Sequence, residues 1–317
     1  MGIRGLAGFL KYKFPTIRRQ LNWVGWTGSR WGVDIASILY KAKGAGLDPL
    51  TVLASLFVRV RHAGIEPLVV FDGRTPAAKS AVVEKRRVIR LEVEKEITKI
   101  QVELAKGDEL AEIERAELEA REAELKKRAP KVNREDRDDV KQFLYACGIQ
   151  FITAGEEADD VLGYLCRTGY LQAVISADMD MLARGIPSLI VPESPDTTVM
   201  TIMHTGEVLG HLGLTMEQFV VACTLMGSDY TPPGFRGYEP RVACDMVRKG
   251  VDLDALGLVE ALNKLAGEGV TWETLLSDKQ REKWLLGIPP KEVANLQRYC
   301  VEKGWPQNWF AALYMGV

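Results

Sequence analysis

The chain has little to offer the common soft-metal and thiol chemistries. Its five cysteines, Cys147, Cys166, Cys223, Cys244 and Cys300, are widely spaced, odd in number and free of any CxxC pair. That pattern argues against a disulfide framework and a zinc ribbon and predicts free thiols in a reducing compartment. The three histidines, His62, His204 and His211, lie far apart with no HxxxH pair, which leaves no basis for a histidine-centred metal or triad site. No run of about 18 apolar residues occurs, so no transmembrane helix is expected. Residues 1–6 lack the apolar core of a signal peptide and the Ser or Thr of a myristoylation signal. An intracellular protein without membrane contact is the resulting expectation. Net charge is also nearly missing: 41 Lys plus Arg against 43 Asp plus Glu leave −2 over 317 residues. Phosphate-binding proteins are usually basic, so the total by itself speaks against a nucleic-acid partner.

What is present is an ordinary globular composition, 47% hydrophobic and 26% charged, enough for one large domain or two modest ones. Short β-rich runs at Gly32 to Ile35, Pro67 to Phe71, Gln150 to Thr153, Ala173 to Ser176 and Ser188 to Val191 alternate with helical patterns such as Leu50 to Ala63 and Asp138 to Cys147. Strand then helix, repeated, predicts an α/β fold with a mainly parallel central sheet flanked by helices. From about Asp229 onward the pattern is helices and loops, punctuated by Pro232-Pro233-Gly234 and Ile288-Pro289-Pro290.

Lys79 to Arg128 differs from the rest. More than half of it is charged, with acids and bases balanced, and Ile89, Val93, Ile97, Ile100 and Leu104 form a thin apolar stripe. The spacing predicts a long charged helix, a break at Gly107-Asp108, a second helix and an end at Pro130. Two helices projecting from the body are expected.

The candidate chemistry lies in carboxylates. Asp34 and Asp72 punctuate apolar runs, Glu157 and Asp159 sit where a helix opens, Asp178 and Asp180 follow a strand, and Asp229 follows a helix. In open α/β sheets, sites gather at the carboxyl ends of strands. Crowded carboxylates repel one another unless cations offset them. An all-oxygen set suits Mg²⁺ or Mn²⁺. Two such ions roughly 4 Å apart can activate water and stabilise an in-line phosphoryl displacement.

These segments together resemble the flap endonuclease and XPG-type structure-specific 5′ nucleases. The resemblance rests on Met-Gly-Ile-Arg-Gly-Leu at 1–6, Val33-Asp34 with Tyr40 beyond it, Val-Phe-Asp-Gly-Arg-Thr-Pro at 70–76, Glu-Glu-Ala-Asp-Asp at 156–160, Ala-Asp-Met-Asp-Met-Leu at 177–182 and Met-Gly-Ser-Asp-Tyr at 226–230. It implies a PIN-like nuclease core over residues 1–249, a helical arch at 78–130, a helix–two-turn–helix duplex-binding element at 227–249 and a helical region at 250–317. Asp34, Asp72, Glu157 and Asp159 would surround one metal ion, and Asp178, Asp180 and Asp229 the other. Lys79 and Arg86, seven apart and so able to face one way on a helix, would stabilise the scissile phosphate. Tyr40 would stack on a base, and Gly2 would lie near the active site. The partner would be branched DNA with a 5′ single-stranded flap or end. A monomer is expected, placed in the nucleus if the source is eukaryotic.

The chain also departs from the family pattern. Gly237-Tyr238-Glu239-Pro240-Arg241 carries Glu239 where the family has a glycine, and a carboxylate there repels phosphate unless it turns away or binds a cation itself, which bears on both duplex anchoring and K⁺ binding. Arg236, Gly237, Arg241, Arg248 and Lys249 remain candidates for duplex contact. Gln307, Phe310, Leu313 and Tyr314 echo a sliding-clamp peptide but lack its paired aromatics; an amphipathic helix packed on the body is the stronger expectation. Trp23, Trp26 and Trp31 read as loop anchors or, alternatively, as a stacking wedge. Within the family, flap cleavage, 5′–3′ exonuclease action and junction resolution are alternatives. Outside it stand a phosphatase using Asp178 as nucleophile and a non-catalytic branched-DNA-binding protein. With the seven named acids set aside, the net charge of the remainder turns from −2 to about +5, so the total never excluded a DNA partner.

Overall fold

The computed structural model describes residues 2–105, 112–232, 234–285 and 292–315. Met1, the Gly107-Asp108 break, Pro233 and Ile288-Pro289-Pro290 lie outside the described residues. In chain order the elements are α1 (Leu6–Lys13), β1 (Arg19–Gln20), β2 (Arg30–Asp34), α2 (Ile35–Gly44), α3 (Pro49–His62), β3 (Glu66–Phe71), α4 (Ser80–Leu104), α5 (Glu112–Arg128), α6 (Arg134–Ala146), β4 (Gln150–Thr153), α7 (Ala158–Arg167), β5 (Ala173–Ile175), α8 (Asp180–Ala183), β6 (Ser188–Pro192), β7 (Met200–His204), α9 (Thr205–Leu212), α10 (Met216–Met226), α11 (Pro240–Lys249), α12 (Val259–Ala266), α13 (Trp272–Leu275), α14 (Asp278–Leu285), α15 (Val293–Glu302) and α16 (Gln307–Met315). The sheet order is β1-β7-β6-β5-β2-β3-β4. The run from β6 to β4 is parallel, while β7 and β1 extend it antiparallel.

Each strand sorts its side chains by parity, because successive Cβ atoms point to opposite faces. In β3, Leu68 and Val70 enter one core layer with α7, α10 and α12, while Val69 and Phe71 enter the other with α2, α3 and α6. In β5, Val174 joins the first layer and Ala173 and Ile175 the second. Both faces are thus buried, as parallel sheets require. Gly32 in β2 provides for close helix packing: a Cβ there would lie 2.4 Å from Leu162 Cδ2 of α7 and 2.9 Å from Leu171 Cδ1.

The sequence runs locate five of the seven strands. The first of these begins at Arg30 and stops at Asp34, not Ile35, because Asp34 caps α2 and accepts a hydrogen bond from Ser37 N. The runs missed β1 and β7. A two-residue strand has no periodicity to read, and the Met-Thr-Ile-Met-His run of β7 carries few β-branched residues; antiparallel pairing along β6 makes it a strand.

The charged segment forms an antiparallel helix pair. Val93 and Ile100 of α4 bury against Leu125 of α5, joined by Ile97, Leu104 and Leu118. Ile89, also read as part of that stripe, is half exposed and faces a cavity instead. Arg121 pairs with Glu96, and Gln101 donates to Glu122, across the pair. Near the end of the chain, Phe310, Leu313 and Tyr314 of α16 pack on the second core layer, and Trp305 Nε1 donates to Thr51 Oγ1 at 2.9 Å. The clamp-like spacing is therefore spent on an inward-facing helix. Trp31 is fully buried, with Trp23 stacked on it at 5.8 Å and Trp26 edge-on at 5.0 Å, which matches loop anchoring rather than a wedge. Among the described residues no disulfide links any of the five cysteines. Among the described residues no single helix is long and apolar enough to cross a membrane.

Gly32→Val should overpack the β2–α7 contact and lower unfolding free energy by about 1–3 kcal/mol. Urea unfolding checks this, and an unchanged midpoint would contradict the close packing.

Candidate active site

The carboxyl ends of β2, β3 and β5 meet where the strand order reverses, between β2 and β5. Asp34 ends β2 and lies buried, its Oδ2 accepting from Ser176 Oγ at 2.7 Å. Ser176 Oγ also accepts from Asp178 N at 3.0 Å, so one hydroxyl sets two acids from adjacent strands. Asp72 follows β3 and accepts from Ala158 N at the start of α7 at 3.0 Å. The next residue, Gly73, donates to Glu156 O at 2.7 Å, and a Cβ at Gly73 would lie 2.0 Å from Ala154 O. Only glycine allows this loop to press Asp72 against the Glu157 segment.

Glu157 sits at the N-cap position of α7, with Asp159 in the first turn. Asp180 N donates to Asp178 Oδ1 at 3.0 Å. Asp180 is almost fully buried, and its Oδ1 has no hydrogen-bond partner. Asp229 lies just past α10, as its position after a helix predicts. Six of the seven acids, Asp34, Asp72, Glu157, Asp159, Asp178 and Asp229, line one cavity of about 730 Å³; Asp180 lies directly behind Asp178. The same cavity is lined by Tyr40, Lys79, Arg86, Ile89, Arg90 and Arg128, so the base of the helix pair forms its far wall.

Lys79 and Arg86 do face the same way. Lys79 Nζ lies 2.6 Å from Glu157 Oε1, and Arg86 Nη2 lies 2.7 Å from Asp229 Oδ2. Burial pulls the Lys79 ammonium down, but Glu157, Asp159 and Asp229 outweigh it and raise its pKa overall. The acids move the other way. Burial, then the nearby Asp72 and Asp178, push Asp34 up to about 7. Burial, then Asp178, push Asp180 up to about 8. Asp159 is raised by burial and by Asp34 and Asp178.

Among the described residues no three of these side chains close into a ready coordination shell; Lys79 and Arg86 hold two of the carboxylates instead. The donor set nevertheless fits hard divalent cations. It is all oxygen, it contains a buried carboxylate oxygen with no partner, and burial and neighbouring carboxylates lift the pKa of Asp34, Asp159 and Asp180. A cation is what relieves that repulsion.

Gly2 also lands where expected. A Cβ there would lie 2.1 Å from Asp178 Oδ1 and 2.9 Å from Asp180 Oδ1. The following Arg4 donates to Phe235 O at 3.2 Å and Arg236 O at 3.0 Å, tying the amino-terminal segment to the loop before α11. That loop joins α10 to α11, so the helix pair starts at Met216, upstream of the Gly227 boundary read from sequence. Gly237 has φ +69°, and a Cβ on it would lie 2.0 Å from Met226 O. Arg236, Glu239, Arg241 and Lys249 are exposed there. Arg248 is engaged locally instead, with Asp245 at 2.7 Å and with the Leu212 carbonyl.

Sequence reasoning missed Ser176, Tyr230, Arg184 and Asp160. Tyr230 OH donates to Glu157 Oε2, and Lys79 Nζ lies 4.4 Å above the Tyr230 ring. Burial pushes the Tyr230 phenol up, so it stays a donor. Its place beside Asp229 was the available signal.

Comparison with known proteins agrees with this geometry. The chain matches the XPG N-terminal domain over residues 1–93, ending inside α4, and the XPG I-region over residues 148–229. It is 30% identical over 273 residues to flap endonuclease 1 of Bos taurus, covering 81% of this chain and 68% of that protein. Flap endonuclease 1-B of Physcomitrium patens is 31% identical over 287 residues, covering 83% and 76%. Among solved structures, flap endonuclease-1 from Methanococcus jannaschii has a TM-score of 0.64 at 20% identity, covering 94% of this chain and 96% of that one. Human GEN1 in complex with Holliday junction DNA has a TM-score of 0.58 at 15% identity, covering 99% and 77%.

Asp34 and Asp180 give the metal-free protein a defined pH response. Their folded-state values lie above the 3.8 of an ordinary aspartate, so the folded protein keeps protons that the unfolded chain has released. Stability should therefore fall as pH rises from about 5 to about 8 in chelator. Mg²⁺ should flatten that slope. Melting temperature against pH, with and without Mg²⁺, tests both signs, and a metal-free melting temperature rising across that window would contradict the assignment.

Proposed function

Since this chain belongs to the XPG and flap endonuclease family, we propose that it is a Mg²⁺-dependent structure-specific 5′ nuclease acting on branched DNA near single-strand/duplex junctions. The supporting observation is the meeting of six acids from three strand ends and two helix termini with Lys79 and Arg86 around one cavity beneath the helix pair. Asp34, Asp72, Glu157, Asp159, Asp178, Asp180 and Asp229 would hold two Mg²⁺ or Mn²⁺ ions, whose chemistry, when bound, is to make water a better nucleophile and to neutralise charge on the phosphodiester.

The remaining roles belong to the chain itself. Lys79 and Arg86 emerge from the root of α4 over the acids, where their charge can stabilise the phosphoryl oxygens in the transition state. Tyr40, from α2, also lines the cavity, where a base can stack on its ring without regard to its identity. Arg74, Arg90 and Arg128 add positive charge at the cavity wall, and backbone contacts of this kind fix position rather than sequence. Gly2 leaves room for a close backbone approach to Asp178. Duplex anchoring falls to Arg236, Arg241 and Lys249. Glu239 keeps a carboxylate on the same loop and makes no capping bond with its side chain, which weighs against K⁺ sharing that loop with a phosphate.

Asp178→Ala and Asp180→Ala should each abolish Mg²⁺-dependent cleavage of a 5′-flap oligonucleotide while branched-DNA binding persists. Wild-type rates in both would overturn the proposal. Lys79→Ala should lower turnover by about 10²–10³-fold with a small change in affinity; equal turnover would remove its catalytic role. Comparing flap, nick, gap and four-way junction substrates at one salt concentration ranks the preferred structure, because affinity for DNA depends steeply on salt.

A further inference from the structure

Arg184 is the largest charged side chain sealed inside this protein, at 1% exposure. It lies just past α8, at that helix's C-cap. Groups from two other helices and from the loop after α10 converge on its guanidinium. Asp160 of α7 pairs with Nη1, the Lys264 carbonyl of α12 accepts from Nη1 at 2.7 Å, and Tyr230 Oη accepts from Nη2 at 2.8 Å. Its Nε has no partner. Burying a guanidinium is costly, and an apolar side chain of similar size would fill such a space at least as well. The arrangement therefore calls for a role beyond packing.

The hydrogen-bond polarity supplies one. A phenol has one proton. Because Arg184 donates to the Tyr230 oxygen, that proton is free to point elsewhere, and it is donated to Glu157 Oε2. This leaves Glu157 Oε1 as the oxygen turned toward Lys79 Nζ. We propose that Arg184 is a positioning residue for the acid site, acting through Tyr230 to fix the orientation of the Glu157 carboxylate. The proposal rests on reading Glu157 as a metal ligand. It also ties the site to the carboxyl-terminal helices, since the Lys264 carbonyl anchors the same guanidinium. Partners that orient metal ligands in this way commonly change metal affinity about 10–100-fold when removed.

The test compares wild type, Tyr230→Phe and Arg184→Lys. Tyr230→Phe keeps the ring over Lys79 and removes only the hydroxyl. Mn²⁺ binding is measured calorimetrically, melting temperature is taken in chelator, and kcat and KM are taken on a 5′-flap oligonucleotide over a range of Mg²⁺. Tyr230→Phe should stay folded, bind Mn²⁺ about tenfold more weakly and lose kcat at low Mg²⁺, with recovery at high Mg²⁺ and an unchanged KM for DNA. Arg184→Lys should shift Mn²⁺ binding in the same direction; if it fails to fold, Tyr230→Phe decides. Wild-type Mn²⁺ affinity and Mg²⁺ dependence in the folded variants would overturn the positioning role while leaving the nuclease reading intact. A wild-type protein that binds no Mn²⁺ would overturn both.

Discussion

Mutual repulsion among the carboxylates is the constraint on which the rest of this structure depends. Seven acids converge at the ends of three parallel strands and the helix starts and ends beside them, and several are out of water. Asp34 and Asp180 are lifted toward neutrality by that burial and by their neighbours. Such a cluster is tolerable only with positive charge close by. The protein brings it from two directions. Lys79 and Arg86 reach in from the helix pair above, and Arg184 stands beneath, paired with Asp160. The acids are therefore held between cations, and the spare carboxylate oxygens are the ones a divalent ion would use.

Holding those acids in register demands an exact backbone, and the fold invests small residues and single hydroxyls in it. Ser176 joins Asp34 to Asp178 across neighbouring strands. Gly73 lets the loop carrying Asp72 lie against the Glu157 segment, and Gly32 lets α7 close on the sheet. At the amino terminus, Gly2 abuts Asp178 while Arg4 grips the loop before α11. One short segment thus touches both the acid cluster and the exposed loop before α11, so the covalent chain sets the spacing between them.

The charged helix pair and the final helices bury their apolar side chains in different ways. In α4 and α5 most charges sit on the solvent side or pair across the two helices, around a narrow apolar seam. Only the root of the pair turns basic side chains and Ile89 into the cavity. At the other end of the chain, α16 turns its aromatics inward against α3 and the second core layer.

From the sequence alone, the class of fold, the five main parallel strands, the helix pair and all seven acids were legible. Each of these is a local signal: a β-rich run, a helical stripe, or an acid where a strand or helix ends. The cations Lys79 and Arg86 were legible by their seven-residue spacing and by family resemblance. Four things were decided only by tertiary structure. The short strands β1 and β7 exist through pairing with β6 and with each other, not through their own propensity. Ile89 left its stripe because it lines the cavity instead of the seam. The clamp-like spacing of α16 was used for packing, since periodicity states which residues share a face but not what covers it. The Asp160–Arg184–Tyr230–Glu157 relay joins residues more than 70 positions apart. A buried ion pair leaves no periodic trace in a sequence, because its reason for existing is a neighbour that only the folded chain provides.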